Sequence, residues 1–385
     1  MTGKILISGD RADFTTLELD ESAKTLRILA NYTAPPNANW TELINSHAGV
    51  DHFIGISESE DSPKVYTFQI DHAQQTCQIT SQRSTSDGPC HVLALRDRSA
   101  IVVATYGAGS ISLFPAAKNQ SGQIELQDVP RTELFPSFRY KDIGHGPNKD
   151  RQTQSRIHQI LEDQTGRLYA PDFGSDRVWM LQRDGIGLKI SGWFECPTGS
   201  GSRHAVIRHD QKMLYVVGEL SHDVIAFDIP VVAAENIQPI VSFSANIVPP
   251  SVDPKHQASM ESGEVCFHPT IPNVLYISNR WERHIAEREP SLKDVPETLQ
   301  SGDSVAIILL SEEGRSVESV RHVRTHADVI RGMHIDRTGK YAVLLGQENG
   351  DAEVYEISGN RGEVWTLTAH LNENLGTGLK HPTWL

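Results

Sequence analysis

The sequence lacks the charge pattern and the long apolar segments that nucleic-acid and membrane partners need. Its 385 residues carry 35 lysines and arginines against 49 aspartates and glutamates, which gives a formal net charge of −14. Nucleic acids and anionic lipid surfaces bind basic patches, so this charge argues against both. The longest uninterrupted apolar run, Val305 to Leu310, is too short to cross a bilayer. We therefore expect no nucleic-acid partner and no membrane partner.

Cysteine is scarce as well. The four cysteines, Cys77, Cys90, Cys196 and Cys266, are scattered and form no Cys-x-x-Cys pair. Neither a zinc ribbon nor a disulfide-stapled secreted domain is therefore indicated. The first residues also lack the basic start, the long apolar stretch and the small-residue cleavage site of a signal peptide. These absences predict a cytoplasmic protein with reduced thiols.

Several catalytic and cofactor motifs are missing. No Gly-x-Ser-x-Gly elbow is present, which argues against the serine mechanism of an α/β-hydrolase. Gly107 and Gly109 lack the third glycine of a dinucleotide loop, and the stretch 198–202 lacks the lysine of a P-loop. None of the 17 histidines forms a His-Glu-x-x-His pair, so we expect no metal and no cofactor. A divalent ion held by residues of several repeats stays an alternative, because spacing along the chain would not reveal it.

What the sequence does contain is a weak internal repeat of β-strand patterns. A short apolar strand, a polar turn, a Tyr- or Val-rich strand, a polar hairpin and a third alternating strand recur along the chain. Each unit has too few strands to bury both faces alone, whereas radial stacking of the units buries them. The clearest copies begin at Ser155, Ser202 and Ile330, and fainter copies span residues 89–114, 263–310 and 49–68.

Six copies and one closing unit predict an all-β fold, a single seven-bladed β-propeller over residues 1–385 that is closed by its N- and C-terminal strands. In the closing blade, we expect the opening segment from Lys4 to Leu19 to pair with the tail around Glu363 to Leu367. A pair of β-sandwiches is the alternative, although sandwiches are rarely this regular. Residues 115–154 and 281–303 exceed the length of a blade hairpin and are predicted to be long loop insertions, either functional or simply solvated.

Strand pairing predicts where polar side chains meet. In a hairpin, the start of the first strand lies beside the end of the second. Because the innermost strands of a propeller all run the same way along its channel, polar residues at these strand ends should form a ring at one mouth. The expected neighbours are Ser155 and His158 with Asp172, Arg203 and His204 with Glu219, Glu264 with Asn279 and Arg280, and His334 with Gln347.

Arginines and a proton carrier in one cavity favour an anionic guest. Arg203 and Arg280 supply bidentate donors for carboxylates, and His158 with Glu219 supplies a proton donor and a proton acceptor. His158 is the favoured carrier because an imidazole titrates near neutrality. The predicted partner is a small anionic substrate, and the oligomeric state stays open. The further substrate-binding candidates are Arg156, His204, Glu264, His334 and Gln347.

A set of motifs lies between residues 144 and 280. They are Gly-His-Gly-Pro-Asn at 144–148, Arg-Gln at 151–152, Ser-Arg-Ile-His at 155–158, Asp-Phe-Gly-Ser-Asp-Arg-Val at 172–178, Ser-Arg-His-Ala at 202–205 and Leu-Tyr-Ile-Ser-Asn-Arg at 275–280. Together they resemble the hallmark region of the seven-bladed β-propeller lactonase family, of the 3-carboxy-cis,cis-muconate cyclase and 6-phosphogluconolactonase type. By this resemblance, the cyclase active-site positions are occupied by His158, Arg203, Glu219 and Arg280. Many family members have a histidine where this chain has Arg156.

The resemblance implies a lactone-forming cycloisomerase that acts on an unsaturated polycarboxylate of the carboxymuconate type, with arginine clamps and proton transfer through His158 and Glu219. A lactone hydrolase of the 6-phosphogluconolactonase type is the alternative activity, and the substrate and the reaction direction stay open. A non-catalytic binding or scaffold propeller is the alternative from another class, because a fold does not fix a function. Scaffold propellers often carry Trp-Asp pairs, and this chain has none, which favours an enzyme.

Overall fold

The computed structural model describes residues 2–119, 122–230, 240–289, 302–373 and 375–385. Within these ranges the chain forms seven antiparallel β-sheets, each with one strand at the central channel and the others extending outward. The arrangement is a seven-bladed β-propeller, which confirms the predicted all-β fold class. The blades are numbered 1 to 7 in chain order.

Apart from the C-terminal strand of blade 1, blades 1 to 4 occupy the N-terminal half of the chain. From the channel outward, blade 1 consists of Leu379–Trp384 (β29), Thr2–Gly9 (β1), Asp13–Asp20 (β2) and Thr25–Thr33 (β3). Blade 2 consists of Trp40–His47 (β4), Val50–Ser57 (β5), Lys64–Asp71 (β6) and Thr76–Ser84 (β7). Blade 3 consists of Pro89–Ala94 (β8), Ala100–Thr105 (β9), Ser110–Lys118 (β10), Ile124–Leu126 (β11) and Thr132–Leu134 (β12). Blade 4 consists of Leu161–Glu162 (β13), Leu168–Asp172 (β14), Arg177–Asp184 (β15) and Gly187–Glu195 (β16).

Blades 5 to 7 complete the ring. Blade 5 consists of Ser202–Ile207 (β17), Met213–Gly218 (β18), Asp223–Asp228 (β19) and Val241–Asn246 (β20). Blade 6 consists of Glu261–Phe267 (β21), Val274–Arg280 (β22), Ser304–Leu310 (β23) and Val317–Arg324 (β24). Blade 7 consists of Ile330–Ile335 (β25), Tyr341–Gly346 (β26), Ala352–Ser358 (β27) and Val364–Leu371 (β28).

The hydrophobic core lies between neighbouring blades. β9 reads Ala-Ile-Val-Val-Ala-Thr and is buried at every position, because blades cover both of its faces. The outer strand β7 is mostly exposed. Between blades 6 and 7, Tyr276 packs in one cluster with Leu344. All four cysteines are free, in agreement with the prediction of reduced thiols.

The ring closes through β29 and not through the predicted tail segment. β29 pairs with β1, with Leu6 opposite Thr383. The segment around Glu363 to Leu367, predicted as the closing strand, instead begins β28, the outermost strand of blade 7. β29 reads Leu-Lys-His-Pro-Thr-Trp, a composition with polar residues and a proline that is typical of a loop. A strand beside the channel needs fewer apolar side chains than a strand between blades. This composition explains the wrong prediction.

The two predicted insertions are only partly loops. In residues 115–154, β10 continues to Lys118, and both β11 and β12 pair with β10. In residues 281–303, the described part forms a 3₁₀-helix at Glu282–His284 and a short α-helix at Ile285–Arg288 (α1), and residues 290–301 lie outside the described chain. Another 3₁₀-helix, Pro254–Ser259, precedes blade 6. Of the helices that the structure describes, none has the length and apolar character that a membrane span requires.

The closure makes a testable prediction about two leucines. Leu379 in β29 is fully buried, whereas Leu367 in β28 is 38% exposed. Leu379→Ala should lower the free energy of unfolding by about 2–5 kcal/mol, because it leaves a cavity in the core. The matched variant Leu367→Ala should lower it by less than about 1 kcal/mol. Equilibrium unfolding in urea measures both values, and equal losses would contradict closure through β29.

Candidate active site

A polar cavity of about 410 Å³ opens where the innermost strands of blades 5 and 7 begin. Its lining contains five arginines and three carboxylates, so positive charge is in local excess although the whole chain is acidic. The remaining lining side chains are a tyrosine, a cysteine and a histidine. The lining residues are Arg151, Arg156, Arg203, Arg280, Arg331, Glu58, Asp150, Glu219, Cys90, Tyr106 and His158.

The carboxylate of Glu219 is the centre of this cavity. Its Oε2 lies 2.8 Å from Nε of Arg203 and 2.9 Å from Nη2 of Arg280. Its Oε1 lies 2.5 Å from Nη2 of Arg151. Burial raises the pKa of the Glu219 carboxyl, but the charges of the three arginines outweigh it and hold this pKa at about 2. Glu219 is therefore ionised at neutral pH.

Two of these arginines also bind a second carboxylate. Glu261 lies 3.0 Å from Nη1 of Arg151 and 3.0 Å from Nη2 of Arg280. Arg203 donates from Nη1 to the backbone carbonyl of Gly263 at 2.7 Å. The three guanidinium groups are thus held on several sides, which fixes their orientation at the cavity wall.

A repeated β-bulge aims side chains into this cavity. The register shifts between Ser202 and His204 in β17, and between Ile330 and Met333 in β25. A bulge leaves an extra residue outside the regular ladder and turns its side chain. Arg203 and Arg331 lie in these two bulges, and both line the cavity. The same distortion therefore places one arginine of blade 5 and one arginine of blade 7 at the cavity.

Arg331 differs from the other four arginines. Arg151, Arg203 and Arg280 face carboxylates, and Arg156 donates from Nε to the carbonyl of Arg151 at 2.8 Å. Among the described residues, no side chain or carbonyl forms a hydrogen bond or ion pair with the Arg331 guanidinium. This cation is available to a ligand.

Asp303 holds the turns beside two of the arginines. Trp281, next to Arg280, has a φ of 73°, and Val329, two residues before Arg331, has a φ of 60°. Such a left-handed backbone is strained in side chains of this size, above all in a β-branched valine. The buried Asp303 carboxylate accepts hydrogen bonds from the backbone N–H of Val329 at 2.7 Å and of Trp281 at 3.2 Å. One carboxylate therefore stabilises both strained turns.

The imidazole of His158 is buried at the cavity wall, and its Nδ1 has no hydrogen-bond partner within the described chain. Burial lowers the pKa of His158 well below its usual value, and the charges of Arg203 and Arg331 lower it further. The imidazole is consequently neutral at pH 7. The imidazole pKa near neutrality that was expected to make His158 the proton carrier is therefore not found in this environment.

Two histidines and a glutamate of the predicted ring lie elsewhere in the channel. His204 is fully buried, with its ring 5.0 Å from that of His158 and its Nδ1 2.7 Å from Oε1 of Glu264. Glu264 and His334 line a second cavity of about 360 Å³ beside Trp40. Glu264 was expected beside Arg280, but β21 begins at Glu261, and Glu261 pairs with Arg280 instead.

Gln347 lies outside both cavities. Its backbone N–H donates to the carbonyl of Val329, and its side chain donates to Glu348 at 3.0 Å. The expected pairing with His334 is wrong, because His334 pairs with Val343 in the register of β25 and β26. Of the nine predicted site residues, the cavity therefore gathers Arg156, His158, Arg203, Glu219 and Arg280 and leaves out His204, Glu264, His334 and Gln347.

Sequence reasoning missed Arg331 and Arg151 as site residues. The repeat offered a signal for Arg331, because Ser202-Arg203 and Ile330-Arg331 both open their copies of the repeat. Arg151 precedes blade 4 in a stretch without regular strands. No strand pattern could have placed it against Glu219.

The network around Glu219 predicts a pH-dependent loss of stability. Glu219→Gln should lower the free energy of unfolding at pH 7 by about 3 kcal/mol or more, because three guanidinium groups lose their shared anion. The folded pKa of Glu219, about 2, lies below the ordinary value of 4.5. The stabilisation is therefore complete above pH 4.5 and fades as the pH falls toward 2.

Urea unfolding of wild type and Glu219→Gln over this acid range measures the effect. The difference in free energy of unfolding between the wild type and Glu219→Gln should become smaller as the pH falls. Glu60→Gln is the matched control, because Glu60 is exposed, and it should follow the wild type at every pH. A difference of constant size would contradict the assignment of the network.

Comparison with known proteins agrees with the fold. The family described as "Lactonase, 7-bladed beta-propeller" matches residues 7–376. A protein of Arthroderma benhamiae named "Probable 6-phosphogluconolactonase" is 25% identical over 354 residues, which cover 91% of this chain and 81% of that protein. The 6-phosphogluconolactonase of Bacillus subtilis is 23% identical over 316 residues, 81% of this chain and 78% of that protein.

A solved structure shows the same fold. The periplasmic gluconolactonase PpgL of Pseudomonas aeruginosa matches with a TM-score of 0.78 at 15% identity, covering 100% of this chain and 99% of that chain. The family match extends over nearly the whole sequence. This chain belongs to the seven-bladed β-propeller lactonase family.

Proposed function

We propose that this protein hydrolyses a phosphorylated sugar lactone, as a lactone hydrolase of the 6-phosphogluconolactonase type. The observation that carries the proposal is the Arg331 guanidinium, which lines an arginine-rich cavity and has no partner among the described residues. Family membership supports an enzyme that acts on lactones. The names of the relatives favour hydrolysis over the lactone-forming cycloisomerisation expected from the sequence.

The substrate phosphate binds Arg331 and Arg156 in this proposal. A guanidinium offers a planar fork of N–H donors that matches a phosphate better than an ammonium does. Arg156 is half-buried at the cavity wall, and its guanidinium stacks 4.8 Å from the centre of the Tyr106 ring. The cavity volume of about 410 Å³ accommodates one sugar phosphate.

Arg203 and Arg280 stabilise the charge that develops during hydrolysis. Both are buried, so water screens their charge little. Attack of water on the lactone carbonyl carbon places negative charge on the carbonyl oxygen, and donors fixed in advance lower the energy of that state. The ring C–O bond then breaks, and the products are a hydroxyl, a carboxylate and one released proton.

His158 accepts the proton of the attacking water. Its imidazole is neutral at pH 7 because burial and the charges of Arg203 and Arg331 lower its pKa. A phosphate dianion bound at Arg331 offsets part of this positive charge and raises the proton affinity of His158 when substrate is present. Glu219 is a positioning residue. Three arginines lower its pKa to about 2, so its carboxylate is too weak a base to accept the proton at neutral pH.

A substrate panel tests the proposed reaction. The full-length protein is mixed with a phosphorylated aldonolactone, the unphosphorylated lactone and an unsaturated tricarboxylate, with subtraction of spontaneous hydrolysis. We expect acid release, followed with a pH indicator, to be fastest on the phosphorylated lactone. His158→Gln should reduce kcat by roughly 10²- to 10⁴-fold.

Two other results would overturn the proposal. Loss of the ultraviolet absorbance of the unsaturated acid without acid release would identify a cycloisomerase. Absence of turnover on all three compounds would favour a non-catalytic binding protein.

The assignment of Arg331 to the phosphate makes a prediction about specificity. Arg331→Ala should raise KM for the phosphorylated lactone by roughly 10- to 100-fold, the loss of a charge-assisted hydrogen bond worth about 1.5–3 kcal/mol. KM for the unphosphorylated lactone should change little. Arg321→Ala is the matched control, because Arg321 is exposed on the outer strand β24. Equal changes for both lactones would show that Arg331 does not bind the phosphate.

A further inference from the structure

A group of imidazoles and carboxylates lies in blade 7, apart from the arginine cavity. Glu353 in β27 and His370 in β28 are register partners, and His326 lies between β24 and β25. One ligand-capable atom from each of the three residues lies within 4.8 Å of the others. None of the three lines either channel cavity described above.

The carboxylate of Glu353 is fully buried and held in one orientation. Its Oε2 accepts a hydrogen bond from the Tyr355 hydroxyl at 2.9 Å. Its Oε1 accepts one from the backbone N–H of His326 at 3.1 Å and lies 2.6 Å from Nδ1 of the His326 ring. Hydrogen bonds from groups outside the ligand set, such as the Tyr355 hydroxyl, orient the ligands of metal sites.

A second buried carboxylate completes the group. Oδ1 of Asp351 lies 3.4 Å from Nε2 of His370, and Oε1 of Glu353 lies 3.9 Å from the same atom. Nε2 of His370 has no hydrogen-bond partner within the described chain. It faces two carboxylates and donates to neither of them.

The charge of this group is not balanced by lysine or arginine. Among the described residues, the only basic side chains within 4.0 Å of Asp351 or Glu353 are His326 and His370. Buried carboxylates are stable when they are paired with cations or coordinate a metal. Two buried acids with only imidazoles as basic neighbours therefore favour a bound cation.

We propose that blade 7 binds one first-row transition-metal ion of the zinc class through His326, Glu353 and His370, with Asp351 beside it. Two imidazole nitrogens and a carboxylate suit zinc and its neighbours, whereas calcium and magnesium prefer oxygen ligands alone. Bonds of about 2.0–2.2 Å from zinc to these ligands require the ligand atoms to move closer together. The His326 side chain is 50% exposed, so close packing does not prevent its ring from making this adjustment.

The ion would connect three parts of blade 7. It joins β27 to β28 and joins both to the segment that leads into β25, the strand that carries Arg331. The site does not depend on the proposed lactone hydrolysis. Metal binding and lactone hydrolysis can therefore fail separately.

Titration of the full-length protein with Zn²⁺ tests the proposal. The protein is first treated with a chelator and dialysed, and isothermal titration calorimetry then measures stoichiometry and affinity. We expect one ion per chain. His326→Ala and His370→Ala should each weaken binding at least tenfold, and His47→Ala, which changes an exposed histidine of blade 2, should bind like the wild type.

Two further readouts separate binding from misfolding. Co²⁺ in place of Zn²⁺ should give visible absorption bands in the wild type that are lost in His370→Ala. Zn²⁺ should raise the Tm of the wild type and leave that of His370→Ala unchanged. The half-exposed His326 keeps the test valid if His370→Ala fails to fold. Absence of stoichiometric Zn²⁺ binding in the wild type, or unchanged binding in His326→Ala, would overturn the proposal.

Discussion

The contact between one buried carboxylate and three guanidinium groups governs the arrangement of the cavity. Without Glu219, the side chains of Arg203, Arg280 and Arg151 would repel one another in a region with little water. The shared anion allows the three cations to lie close together. Glu261 forms further ion pairs with two of them, Arg151 and Arg280. Arg331 and Arg156 face no carboxylate in the described chain, so these two guanidinium groups are the ones left to bind the phosphate of a guest.

The backbone of the propeller supports this arrangement by departing from regular strand geometry. Bulges at the starts of β17 and β25 turn Arg203 and Arg331 toward the channel. Asp303 stabilises the left-handed residues Trp281 and Val329 beside the arginines of blades 6 and 7. Strained conformations of this kind occur where the surrounding structure over-determines them, and they are frequent at functional sites. Several irregular positions of the ring thus lie at the arginine-rich cavity.

The sequence predicted the blades well because strands packed between blades carry a repeated apolar pattern, as β9 does. It also predicted that His158, Arg203, Glu219 and Arg280 meet, since hairpin pairing depends only on the chain order of two strands. It failed for Glu264 because β21 begins at Glu261, which pairs with Arg280. It failed for His334 because this residue lies near the end of β25 and pairs with Val343. β29 was missed because strands at the channel need little apolar character, and the pair Glu353 and His370 was missed because it forms only across two outer strands.

A crystal structure of the protein with bound inorganic phosphate tests most directly whether this cavity is built for anions. The account predicts one phosphate in the cavity, with its oxygens in contact with the guanidinium groups of Arg331 and Arg156, and with Glu219 still bound to its three arginines. Phosphate found only at other surfaces, or arginines that point away from a common cavity, would contradict it.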